Sequence, residues 1–262
     1  MADWHVQQGP FDIPDVPDFI PRRLKPYLFI FFVQIIQFSG GVYLAAASEM
    51  VGTKAVMQED ILMAGYASLI GMAINFAMMF RIKFRFSTRN QLLVSGMVLI
   101  AANVICAYTA SVPLLVGTCF VAGWFRMQAT FACNSTIQLW LTPVRDMAIF
   151  FCYVYIIVDS VIQLSGIATI YTAFFSQWEY MHWIMTGMLA LMMLMVMILV
   201  KPVRGPMFIP LLGIDWIGAV LWAIFMLCFA FVCVYGSFYD WWDAAEVCEA
   251  TLIGIVCIGI NL

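Results

Sequence analysis

Eight long apolar runs, parted by short polar turns, occupy most of this chain: Tyr27 to Met50, Ile61 to Phe80, Gln91 to Thr109, Pro113 to Ile137, Met147 to Phe175, Trp183 to Val200, about Ile214 to Tyr235, and Val247 to Leu262. A helix needs about 20 apolar residues to cross the hydrocarbon core of a bilayer. Backbone N–H and C=O groups find no water there, so only helices and closed barrels can span it. Continuous runs of this length, without the alternation of a barrel strand, predict helices. The expected fold is therefore all-α, a polytopic transmembrane bundle. Six helices over 26–200 form its main body, and 201–262 adds a cytoplasmic linker, a seventh helix and the start of an eighth. The last run is short for a span and still apolar at Leu262, which predicts a truncated chain. Composition agrees, with 65% hydrophobic and 10% charged residues, against about 45–50% and about 25% in soluble domains.

The charges set a direction on this ladder. Short loops rich in Lys and Arg stay cytoplasmic. Arg22, Arg23 and Lys25 precede the first run; Arg81, Lys83, Arg85 and Arg89 join the second and third; Arg145 joins the fourth and fifth; Lys201 and Arg204 join the sixth and seventh. Ten of the twelve basic residues thus lie on one side, with only Lys54 in the opposite loops, where Glu59, Asp60, Glu179, Asp240, Asp243, Glu246 and Glu249 gather. A miscounted span would break this alternation. The reading is a multi-pass membrane protein with a cytoplasmic N-terminus. Trp178, Tyr180 and Trp183 at one outer turn, and Tyr239, Trp241 and Trp242 at the next, fit an interfacial aromatic belt. Residues 1–25, acidic and carrying Pro10, Pro14, Pro17 and Pro21, have neither a basic start nor a small-residue cleavage site and read as a cytoplasmic tail. The net charge of -3, with the cations set beside spans, presents no face for nucleic acid.

Two ionisable residues fall inside spans, where a charge costs roughly 2.5–3.5 kcal/mol on insertion scales and marks a functional candidate. Arg126 stands about 20 Å along the fourth run at 1.5 Å per residue, and Asp159 is at similar depth in the fifth. Consecutive antiparallel helices tend to be neighbours, so the two are expected to face each other. They form either a structural ion pair or a polar centre for substrate and proton. Polar residues at helical spacing favour the centre. Gln34, Gln37 or Phe38, Gly41, Ala45 and Ser48 make a stripe on the first run, Arg126, Thr130 and Asn134 on the fourth, and Tyr155, Asp159, Gln163 and Gly166 on the fifth. Gln34, Gln37, Asn134, Tyr155 and Gln163 are the candidate cavity lining. Gly40 and Gly41 would permit a bend or a close helix contact. Asn75 and Asn103 read as interhelical glue.

Motifs for an enzyme are absent. His5 lies in the tail and His182 at an outer turn, and neither a zinc-protease helix, a nucleophile elbow nor a phosphate loop occurs. No metal and no cofactor are expected. Seven of the eight cysteines lie inside apolar runs without C-x-x-C spacing and read as small hydrophobes.

Three stretches carry a family resemblance. Leu141-Thr142-Pro143-Val144-Arg145-Asp146-Met147-Ala148 is similar to a Pro-x-x-Arg-x-x-Ala loop, Trp178 with Tyr180 to a Trp-x-Trp turn, and Asp215-Trp216-Ile217-Gly218-Ala219 to an Asp-Trp-x-Gly helix opening. With the order of spans, these resemble the N-terminal part of a major facilitator superfamily transporter, in its fourteen-helix drug:proton antiporter branch. The chain departs from that pattern between the second and third runs, where Phe80 to Asn90 lacks the usual Gly and Asp, and in the first run, where Gln37, Phe38 and Ser39 replace an acidic motif. The resemblance implies a secondary transporter that exports small amphipathic compounds in exchange for protons by alternating access, in a bacterial inner membrane, completed by a second half-bundle. Its proton role then falls to Asp159 with Arg126, and a cytoplasmic latch to Arg85, Arg89 and Arg145. A channel, or a polytopic protein that moves nothing, is the alternative.

Overall fold

The computed structural model describes residues 16–17, 19–21, 24–38, 40, 42–45, 47–141, 147–175, 177–201 and 213–261. Arg145, Arg204 and most of the tail lie outside them, as do the side chains of Glu49, Lys54 and Asp159. The chain is an all-α bundle: α1 (Lys25–Phe38), α2 (Val42–Ala45), α3 (Ala47–Lys54), α4 (Gln58–Phe76), α5 (Met79–Arg85), α6 (Thr88–Tyr108), α7 (Val112–Leu141), α8 (Met147–Phe175), α9 (Glu179–Leu199), α10 (Trp216–Tyr235) and α11 (Ala245–Asn261). Five helices, α6 to α10, contain segments long and apolar enough to cross a membrane, and α4 with α5 makes a sixth if the bent pair is one span. The protein is a multi-pass membrane protein.

The first two expected spans are not continuous. In the first, α1 stops at Phe38 and the chain turns through Gly40, whose N–H donates to the Gln37 carbonyl at 2.9 Å. In the second, α4 and α5 meet at 64°, at a turn where the Met78 N–H donates to the Asn75 carbonyl at 2.8 Å. Both closures are i to i+3 bonds, the tighter 3-10 pattern that ends an α-helical ladder. Helical structure then continues through Arg81, Lys83 and Arg85, which the sequence alone places in a loop.

α6 runs antiparallel to α9, and α4 to α10, as contacts at their ends show. At one end the Arg89 Nη2, near the start of α6, donates to the Met197 carbonyl near the end of α9 at 3.2 Å. At the other, Tyr108 and Trp183 meet edge to face at 5.9 Å, and Tyr235 at the end of α10 donates to Asp60 at the start of α4. The basic residues Arg81 and Arg89 therefore share one end, and Asp60 lies at the other. Local capping fixes several starts. Ser87 Oγ accepts from the Asn90 N–H at 3.3 Å, and Asp215 Oδ1 from the Gly218 N–H at 2.9 Å. The latter explains the Asp-Trp-x-Gly sequence physically: a Cβ at Gly218 would collide with the Asp215 carboxylate that caps the helix.

α1 sits at the centre. Phe29, Phe32, Val33 and Ile36 pack with Leu92 and Leu99 of α6, Ala129, Cys133 and Ile137 of α7, and Leu189, Met192 and Val196 of α9. The closest pairing is between α4 and α7. Gly71 lies against the backbone of Phe120 and Trp124, and Gly123 against the backbone of Ser68, so a Cβ at either glycine would strike the other helix's main chain. Small residues let two backbones approach where lipid supplies no hydrophobic drive to hold helices together. α10 packs outside this pair, its Ala219, Ala223, Met226 and Ala230 against Ile70, Ile74, Met78 and Ile82.

Candidate functional site

The glycine contact determines where Arg126 goes. One turn beyond Gly123 on the same helix, its side chain is carried onto α4, where Nη2 donates to Ser68 Oγ at 3.2 Å and points to the Met72 sulfur at 2.8 Å. Arg126 is 4% exposed, its Nε has no acceptor, and among the described residues no carboxylate lies within ion-pairing distance of it. The turn at Gly40 faces it, since a Cβ there would lie 3.0 Å from Arg126 Nη1. The interruption in the first span thus falls at the level of the buried cation, midway along the 30-residue α7.

Around the guanidinium is a cavity of about 40 Å³, walled by Gly40, Tyr43, Gly65, Ser68, Leu99, Ala102, Asn103, Cys106, Cys119, Ala122 and Arg126. A water needs about 10–15 Å³ of such space. His182 organises one wall and is 2% exposed, not a residue of a solvated turn. Its Nδ1 lies 3.1 Å from Asn103 Oδ1 and its Nε2 3.3 Å from Tyr43 Oη, and the Trp178 ring meets it edge to face at 5.6 Å. An amide oxygen can only accept, so Nδ1 carries a hydrogen toward Asn103, and Nε2 is left to pair with the tyrosine hydroxyl. Asn103, expected as interhelical glue, does join α6 to α9, and it also lines the cavity. Cys106 and Cys119 bring their sulfurs to 3.9 Å, a thiol–thiol contact without a disulfide.

The other candidates separate into groups. Gln37 is 2% exposed and its Nε2 donates to Thr130 Oγ1 at 2.8 Å, so the polar stripes of α1 and α7 meet, while the Gln37 Oε1 is buried without a partner. Gln34 is half-buried on α1. Asn134 lies one turn past Thr130, with its buried Oδ1 unpartnered. Tyr155 is 59% exposed and stacks on Phe151 at 5.6 Å, and Gln163 is also exposed, so both lie away from Arg126. Asp159 is midway along α8, and its side chain lies outside the described residues. α8 packs chiefly on α1 and α2 and touches α7 sparsely; the described partners of Arg126 belong to α4.

Of the expected latch, Arg89 bonds a carbonyl of the last turn of α9, where a cation also meets the negative end of the helix dipole. The Arg85 guanidinium lies 6.0 Å from the centre of the Phe86 ring. Arg145 lies outside the described residues. A second polar cluster is one that the sequence does not announce. Lys83, 1% exposed, donates to Thr88; Gln91 Nε2 donates to the Phe86 carbonyl at 2.5 Å; and Gln128 Nε2 donates to Gln91 Oε1 at 2.8 Å. Gln128 is two residues from Arg126 and on another face of α7, which is why it joins the basic end instead of the cavity.

Among the described residues no group of His, Cys, Asp and Glu could hold a metal ion. The chain matches no family model and no curated protein.

Proposed function

We propose that the protein is a secondary active transporter, with its working centre at the cavity around Arg126. One observation carries this reading: a cation 4% exposed at mid-bundle, with no carboxylate partner among the described residues, stands where the turn at Gly40 interrupts the first span and α4 and α7 meet. A buried charge of this kind is costly in a membrane and is kept where substrate or ions pass. Interrupted helices at membrane depth are also the usual frame of transporter sites, because their turns expose backbone groups to a ligand. The resemblance of the 141–148, 178–180 and 215–219 stretches adds the finer reading: proton-coupled export of small amphipathic compounds from a bacterial cytoplasm, with the N-terminus inside. In it Asp159 takes up and releases the proton, and Arg126 supplies the fixed positive charge of the site.

The test is flux in proteoliposomes with a pH-sensitive dye inside. Amphipathic substrates are expected to release protons saturably, and Asp159→Asn to abolish that release while the protein stays folded. Full coupling in Asp159→Asn would remove the proton role, and conductance that never saturates would replace the transporter by a channel.

A further inference from the structure

The cavity says more about its ligand than the transporter reading alone. An arginine has five N–H groups. Those of Nη2 face Ser68 Oγ and the Met72 thioether, a weak acceptor that an oxyanion would readily replace. Nε is buried and finds no acceptor among the described residues. Close by, Asn103 gives one Nδ2 hydrogen to the Leu99 carbonyl at 2.9 Å and keeps a second, its oxygen held by His182. Donors outnumber acceptors around a positive charge that meets no carboxylate among the described residues, so the complementary ligand is a monoanion.

Size and wall chemistry narrow it further. About 40 Å³ is room for roughly three water-sized groups, which is a carboxylate but not a phosphate ester with its sugar or lipid. Leu99, Ala102 and Ala122 make part of the wall apolar and suit an alkyl carbon, beside Tyr43 and the thiols of Cys106 and Cys119. We propose that this cavity binds the carboxylate of a small organic monoacid, with Arg126 as its counter-ion. The proposal rests on the transporter reading for taking this cavity as the ligand site, and it names the head group of the substrate.

Binding is measured at equilibrium on the purified full chain in detergent, in sulfate at fixed ionic strength, by titrating acetate, or chloride in parallel, and following the thermal midpoint. Acetate should raise the midpoint saturably. Arg126→Gln should weaken acetate about tenfold or more, as loss of a charge-assisted hydrogen bond implies, and Arg126→Lys by less. Gly40→Ala, which sets a methyl group 3.0 Å from Nη1, should weaken it as well and serves if Arg126→Gln does not fold. Equal affinity for chloride would overturn the carboxylate assignment. So would acetate binding that is non-saturable, or unchanged in both Arg126→Gln and Gly40→Ala. A protein that binds acetate through Arg126 yet moves nothing in proteoliposomes would remove the transport reading and leave the site; one that transports but ignores acetate would remove only the site.

Discussion

Single side chains in this bundle answer to two opposed costs, and Gln37 shows how they balance. Its amide hydrogen bond to Thr130 spans α1 and α7, and such bonds are worth about 0.6 kcal/mol on average in membrane bundles. Its buried Oε1 has no partner, a defect that costs about 1–3 kcal/mol. The defect outweighs the bond. Gln37→Leu, similar in size and apolar, is therefore expected to raise stability by about 1 kcal/mol while Thr130 turns to a carbonyl of its own helix. Unfolding in a denaturant titration checks this, and a loss of stability would show that packing around the Gln37 amide outweighs its unpartnered oxygen. Gain of stability with loss of transport would mark Gln37 as a residue kept for the cavity. The same reasoning sets Arg126 apart from Lys83. Both are buried cations, but Lys83 sits at the end of a helix beside Thr88, whereas Arg126 is at mid-span.

At the scale of elements, the glycine seam between α4 and α7 is what positions the site. Gly71 and Gly123 each occupy space that a side chain would take from the opposite backbone, and Ser68 and Arg126 lie on either side of the seam. Gly123→Leu is expected to push the helices apart, costing roughly 1–3 kcal/mol as overpacked interiors do, and to break the Arg126 to Ser68 bond. Gly71→Leu should do the same, and the double variant should cost less than the sum of the two, because the seam opens only once. Thermal midpoints of the four proteins test it, and simple additivity would mean that the glycines act independently. Gly117, by contrast, has open space where a methyl group would stand and should accept Ala without loss. His182 belongs to this scale too. Its burial is legible in the sequence in principle, because Trp178, His182, Met185, Leu189, Met192 and Val196 recur every three or four residues as one buried stripe of α9. Nearness to the polar turn at 177–180 suggests a solvated histidine, but the stripe governs where the ring goes.

For the whole molecule, the alternating charge ladder and the antiparallel packing are independent statements that agree. The bonds that tie α6 to α9 and α4 to α10 put Arg81 and Arg89 at one end and Asp60 at the other. The orientation of that axis in the cell follows from the positive-inside rule and is testable. Single cysteines introduced at Lys201 and Asp243, both exposed, in a cysteine-free background should react differently with a membrane-impermeant maleimide on intact cells. Asp243→Cys should label from outside and Lys201→Cys only after permeabilisation; the reverse pattern would invert the topology.

The order of residues is enough to establish that the chain is helical, that it crosses a membrane several times and which helix ends share a side, since lipid imposes length and charge rules on each segment separately. It also singles out Arg126, because a cation amid apolar residues is visible without any neighbour. Who the neighbours are is not written there. Chain order points from Arg126 to Asp159 on the next helix, whose side chain lies outside the described residues; it does not point to Ser68 and Met72, two spans earlier, which Arg126 meets. Lys83 and Gln91 belong, by sequence, to a loop and the start of a span, and the fold makes them a buried helical contact. The physical reason is that apolar helices in lipid gain no hydrophobic energy by choosing one neighbour over another. Shape decides, through two glycines, two tight turns and the few polar atoms that reach across, and shape exists only in three dimensions.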